Sequence, residues 1–66
     1  MNEYEIFIRH PFFKHSHTIK AQNILNALDI VRSRYNVTDE KHRNYYIITS
    51  VFENGNKIIT EQKLFR

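Results

Sequence analysis

Cysteine and tryptophan are absent from this sequence, and glycine and proline occur once each. Without cysteine there is no disulfide framework, and the common cysteine-bearing structural zinc sites are excluded. One glycine cannot build a glycine-rich phosphate loop. No apolar run approaches the ~20 residues of a membrane-spanning helix. The N-terminal stretch Met1-Asn2-Glu3-Tyr4-Glu5 has neither the basic start nor the apolar stretch of a secretion signal. The expectation is a soluble, cytoplasmic protein.

The chain has 66 residues. A chain this short buries only roughly 60% of the surface its unfolded form exposes, so its core is thin. Five Phe and four Tyr nevertheless argue for packing over disorder. Ten Lys and Arg against seven Asp and Glu leave a formal charge of +3, a modest bias toward anionic partners. No repeat, low-complexity tract or linker divides the chain, and residues 1–66 are read as a single domain.

Hydrophobic periodicity predicts a β-β-α-β-β order. From Glu3 to Arg9, Tyr4, Ile6 and Ile8 alternate with Glu3, Glu5, Phe7 and Arg9, the period of a half-buried strand. Pro11 cannot donate to a ladder, so His10 to Phe13 is a turn leading into a second strand over His15 to Ala21, with Ile19 and Ala21 inward. Asn23 can cap a helix along which Ile24, Leu28, Val31 and Tyr35 recur, flanked by Leu25 and Ala27. Arg32 and Arg34 suit the negative end of its dipole, and Asn36 suits a left-handed C-terminal position. Thr38 to Asn44 reads as a solvated loop.

Tyr45 to Phe52 and Lys57 to Phe65 flank Asn54-Gly55, the dipeptide suited to a two-residue type I′ hairpin. Pairing Glu53 with Asn56 sets Val51 opposite Ile58, Thr49 opposite Thr60, Ile47 opposite Gln62 and Tyr45 opposite Leu64, all on the core side. The other side then carries Phe52 beside Lys57, Ser50 beside Ile59, Ile48 beside Glu61 and Tyr46 beside Lys63. The fold class expected is α+β: a two-layer sandwich of one helix on an antiparallel sheet.

The stretch Thr18-Ile19-Lys20-Ala21-Gln22-Asn23-Ile24-Leu25-Asn26-Ala27, followed by Arg34-Tyr35-Asn36-Val37, resembles a pattern in short tailed-phage proteins of unassigned function. In that pattern a strand ends in Ala, a capping Asn opens a helix with Ala four residues on, and the helix closes at an aromatic. The resemblance covers about a third of the chain. It implies a fold and a viral setting, and no activity. The His-rich segment from His10 to His17 and the long final hairpin depart from it.

Chemistry-bearing constellations are sparse. His15 and His17 share one face of a strand, a spacing that can hold a metal, with His10 and His42 as further ligands only if the fold brings them near. No carboxylate close in sequence orients them, and the reading is of edge or surface histidines with no cofactor or metal. Ser16 lies between two histidines that point to the opposite face of the strand, so nucleophilic catalysis is not expected there. Glu3 and Glu5 sit on an outward face and Asp39-Glu40 in a loop, with nothing to desolvate them. The chain is therefore read as a non-enzyme.

The second sheet face is the candidate site. Phe7 and Arg9 of the first strand, with Tyr46, Ile48, Phe52, Lys57, Ile59 and Lys63 of the hairpin, interleave aromatic, aliphatic and basic groups. Such a surface suits a protein interface, with a host or viral protein or a second copy as partner. That makes the leading reading a small protein-interaction module, a phage or mobile-element accessory protein. The alternative is single-stranded nucleic acid, with bases stacked on the rings and phosphates held by Lys and Arg.

Overall fold

A computed structural model describes residues 1–65. The elements are β1 (Asn2–His10), β2 (Phe13–Ala21), α1 (Ile24–Arg34), α2 (Glu40–Arg43), β3 (Ile47–Glu53), β4 (Asn56–Ile59) and β5 (Gln62–Lys63). All strand pairs are antiparallel, in the order β2-β1-β3-β4, with β5 also paired to β3. The architecture is the expected small α+β sandwich, with one main helix on one face of the sheet.

The alternation in β1 is realised: Tyr4, Ile6 and Ile8 are buried, and Glu3, Glu5 and Arg9 are exposed. Ile19 and Ala21 extend that buried face into β2, and Ala27, Leu28 and Val31 of α1 close on it together with Ile48, Val51 and Leu64. Leu25 lies off the stripe and is exposed. Asn23 caps α1 as predicted, its Oδ1 accepting from the Asn26 N–H at 2.9 Å.

The helix end differs from expectation. Among the described residues only Asn54 and Gly55 have positive φ, so Asn36 does not take a left-handed turn. The chain leaves through Tyr35 in extended conformation, φ −110° and ψ 101°. That direction returns the Tyr35 ring to the sheet, where it packs on Tyr46 at 5.2 Å. The segment expected as a loop also contains α2, whose first turn is capped by Asp39 Oδ1 accepting from Lys41 N–H at 2.9 Å.

The β3–β4 turn is type I′, with Asn54 at φ 49° and Gly55 at φ 87°. A Cβ on Gly55 would meet nothing within 4 Å, so its requirement is conformational rather than one of space. Asn54 also ties the turn to β1. Its N–H donates to the Glu3 carbonyl at 2.8 Å, and its Oδ1 accepts from the Glu3 N–H at 2.9 Å.

Beyond the first pairs the hairpin departs from a straight ladder. Phe52 faces Lys57 as predicted, but Val51 faces Ile59, leaving Ile58 as an extra residue in β4. On the other side of β3, Phe7 faces Ser50 while Ile8 faces Ile48, leaving Thr49 extra. Each bulge shifts the alternation of its strand by one residue, at Ile59 in β4 and from Ile48 back to Tyr45 ahead of β3, while Leu64, after β4 has ended, is buried as expected. Ile48 is consequently buried at 0% exposure, and Tyr46 and Ile59 pack against the core, whereas all three were expected on the opposite face. In exchange Tyr45 and Ile58, expected inside, are exposed, and Ile47 is half-buried. The exchange is like for like, one Tyr and two Ile for one Tyr and two Ile, so it changes which residues are buried and not how apolar the buried set is.

Candidate functional site

The sheet face turned away from α1 is built by β1 and the distal half of the β3–β4 hairpin. Phe7 and Phe52, both half-buried, meet edge to face with centroids 5.9 Å apart. Opposite registers explain the contact: Phe7 pairs with Ser50, and Phe52 pairs with Glu5 on one side and Lys57 on the other. Arg9 lies on this face in an ion pair with Glu61 at 3.2 Å. Lys63 pairs with Ile47 in the β3–β5 ladder, and its Nζ donates to Asn44 Oδ1 at 3.4 Å. Of the eight residues expected on this surface, Phe7, Arg9, Phe52, Lys57 and Lys63 are brought there. Tyr46, Ile48 and Ile59 are carried to the core side by the bulges.

An open groove of about 340 Å³ runs along the same face between Phe7, Arg9, Lys14, Ser16 and Thr49. Glu5 and Glu3 continue the same face along β1 beyond Phe7, with Thr18 and Lys20 as their cross-strand partners. The face is thus a small aromatic centre within charges of both signs.

On the other face, beyond the C-terminal end of α1, the sequence places an aromatic and imidazole array. Phe13 stacks between His10, at 4.4 Å and 7° between planes, and His15, at 4.3 Å and 27°. Tyr46 packs on His10, Tyr35 and Phe65. His15 and His17 share this face of β2, as predicted, while Ser16 between them has its cross-strand partner in the outer-face Phe7.

The hydrogen bonds through this array have a fixed direction. An arginine can only donate, so His17 Nδ1, 3.0 Å from Arg34 Nη1, is the acceptor and the proton sits on Nε2. His17 Nε2–H therefore donates to the Tyr35 hydroxyl at 2.6 Å, which leaves the Tyr35 O–H to donate to His15 Nδ1 at 3.3 Å. Burial holds the His17 pKa below its ordinary value, reinforced by the Arg34 charge and by His15. Burial likewise raises the Tyr35 pKa, with Tyr46 adding to the effect. Both nitrogens of His17 are thus engaged. Among the described residues no group of three or more His, Asp or Glu is placed to hold a metal ion.

The chain matches no family model, no curated protein and no solved structure. No helix among the described residues is long and apolar enough to cross a membrane.

Lys14 and Lys20, which lie on the free edge of the sheet, carried no signal in the sequence, and Arg34 and Tyr35, which order the histidines, were read there only as the end of the helix. The pair His15 and His17 was a visible signal. Its partners were not, because they come from the helix end, about twenty residues on.

Proposed function

We propose that this chain is a non-enzymatic protein-interaction module whose outer sheet face, centred on Phe7 and Phe52, docks against a partner protein in the cytoplasm. The observation that carries the reading is the Phe7–Phe52 pair, held half-exposed on a sheet face that the helix does not cover. An aromatic centre ringed by charged residues is the composition of an interface core and rim. Charges of both signs favour a protein over nucleic acid: Glu3 and Glu5 stand on the same face, and Arg9 is held by Glu61, so a phosphate backbone would meet carboxylates as well as cations. What supports a phage or mobile-element setting is the strand-to-helix corner from Thr18 to Ala27.

The test compares wild type with the double variant Phe7→Ser and Phe52→Ser, after circular dichroism has shown that both are folded. A partner retained at high salt by wild type and lost by the variant supports the reading. Retention that the double variant leaves unchanged overturns it. Binding to single-stranded oligonucleotide that falls steeply with salt overturns it in favour of the nucleic-acid reading.

A further inference from the structure

We infer that the free edge of β2 accepts an extended, acidic segment of a partner protein as an added strand. The inference rests on the interaction-module reading but uses a different part of the molecule, the edge rather than the Phe7–Phe52 face.

The backbone of β2 is available along its whole length. The Glu3 carbonyl accepts from Asn54, so the main-chain groups of Glu3, Glu5, Phe7 and Arg9 point toward β3. Those of Tyr4, Ile6 and Ile8 then point toward β2 and meet Ile19, His17 and His15. It follows that the N–H and C=O groups of Lys14, Ser16, Thr18 and Lys20 point outward, where β2 has no neighbouring strand among the described residues.

The two borders of the sheet are protected very differently. Edge strands are ordinarily blunted by shortness, proline, bulges or lysine. On the far border β4 has four residues and a bulge, and β5 has two. β2 has nine residues, no proline and an unbroken register, and of the four devices it retains only lysine.

The charges decide between occupants. β2 contains Lys14, His15, His17 and Lys20 and no carboxylate. Lys14 and Lys20 are on the outer face, while Arg34 lies beside His17 on the helix side, so both faces of an incoming strand would meet a fixed positive charge. A second copy fits poorly. The longest symmetrical antiparallel pairing of outward-facing residues sets Lys14 of each copy opposite Lys20 of the other, and like charges directly opposite destabilise a sheet. An acidic strand pairs favourably at the same positions. Glu3 and Glu5, cross-strand from Lys20 and Thr18, weaken the attraction at that end, so Lys14, opposite Arg9, is the stronger anchor.

The probe is a labelled peptide of alternating Glu and Thr, as long as β2, with a Lys and Thr peptide as control, read by fluorescence anisotropy and by amide exchange on the wild-type protein. The expected result is binding of the acidic peptide at least about tenfold tighter than the basic one. The amides of Lys14, Ser16, Thr18 and Lys20 should gain protection together. Ser16→Pro removes an outward donor without touching the β1–β2 ladder and should abolish binding. The double reversal Lys14→Glu and Lys20→Glu should invert the peptide preference, which keeps the test decisive if the proline variant fails to fold. Equal binding of the two peptides, protection confined to the Phe7–Phe52 face, or dimerisation through β2 would each overturn the inference. Loss of partner binding in the Phe7 and Phe52 variant with peptide binding intact separates this edge from the docking face.

Discussion

The two bulges make a sharp prediction, because neighbouring isoleucines exchange roles across them. In a straight ladder Ile47 is core and Ile48 faces outward; in the bulged sheet Ile48 is fully buried and Ile47 half-buried. Replacing Ile48 with Ala removes about three methylene equivalents at ~0.8 kcal/mol each. The remaining cavity brings the expected loss to about 3 kcal/mol, within the range of ~2–5 for such truncations. Total stability for a domain of this size is roughly 3–10 kcal/mol. The loss is therefore a large share of the total, and it should lower Tm by on the order of 15 °C. Ile47→Ala, on the open face, should cost about 1 kcal/mol or less. Urea unfolding followed by far-UV circular dichroism measures both. If Ile47→Ala costs as much as Ile48→Ala or more, the bulges are absent and the face assignment fails.

Three further outcomes follow from the same geometry. His17 has its pKa lowered in the folded state, so the unfolded chain binds more protons below the ordinary value of 6.5, and stability should fall as pH drops through 6.5 to the lowered value. His17→Gln should flatten that slope in urea midpoints measured across the range, and an unchanged slope would show that other groups are responsible. Gly55→Ala places a side chain at φ 87° and should cost about 1 kcal/mol despite the free space around it. Calorimetry checks it, and a neutral result would mean that the turn relaxes to another type. Asn23→Ala should cost about 1 kcal/mol through loss of the cap on α1, with a matching drop in helical signal near the transition.

Much of the fold was legible because local chemistry settled it. The alternation in β1, the Asn23 cap and the Asn54-Gly55 turn each depend on residues a few positions apart. The site was only partly legible, and the reason is the extra residue at Thr49 and at Ile58. Nothing in Ile47-Ile48-Thr49 or in Lys57-Ile58-Ile59 marks which isoleucine is to be buried, since both choices give a plain β-branched run. The choice is fixed by the registers of β3 with β1 and with β4, of which the first joins residues about forty or more positions apart. The edge position of β2 was equally hidden, because strand order depends on which hairpin side β1 meets, and no local signal encodes that.

The placement of β1 between a neighbour close in sequence and one far away also shapes how the chain must assemble. Its pairing with β2 closes over a turn at Pro11 and Phe12, whereas its pairing with β3 joins Tyr4 to residues forty-nine positions on, where the Tyr4 hydroxyl donates to Glu53 at 2.6 Å. During synthesis the β1–β2 hairpin emerges first and waits for its second partner with both borders unsatisfied. The β1–β3 contacts close the longer loop and so carry the larger entropic cost of closure. Until they form, β1 is an alternative landing place for any extended strand, including the β3 of another copy.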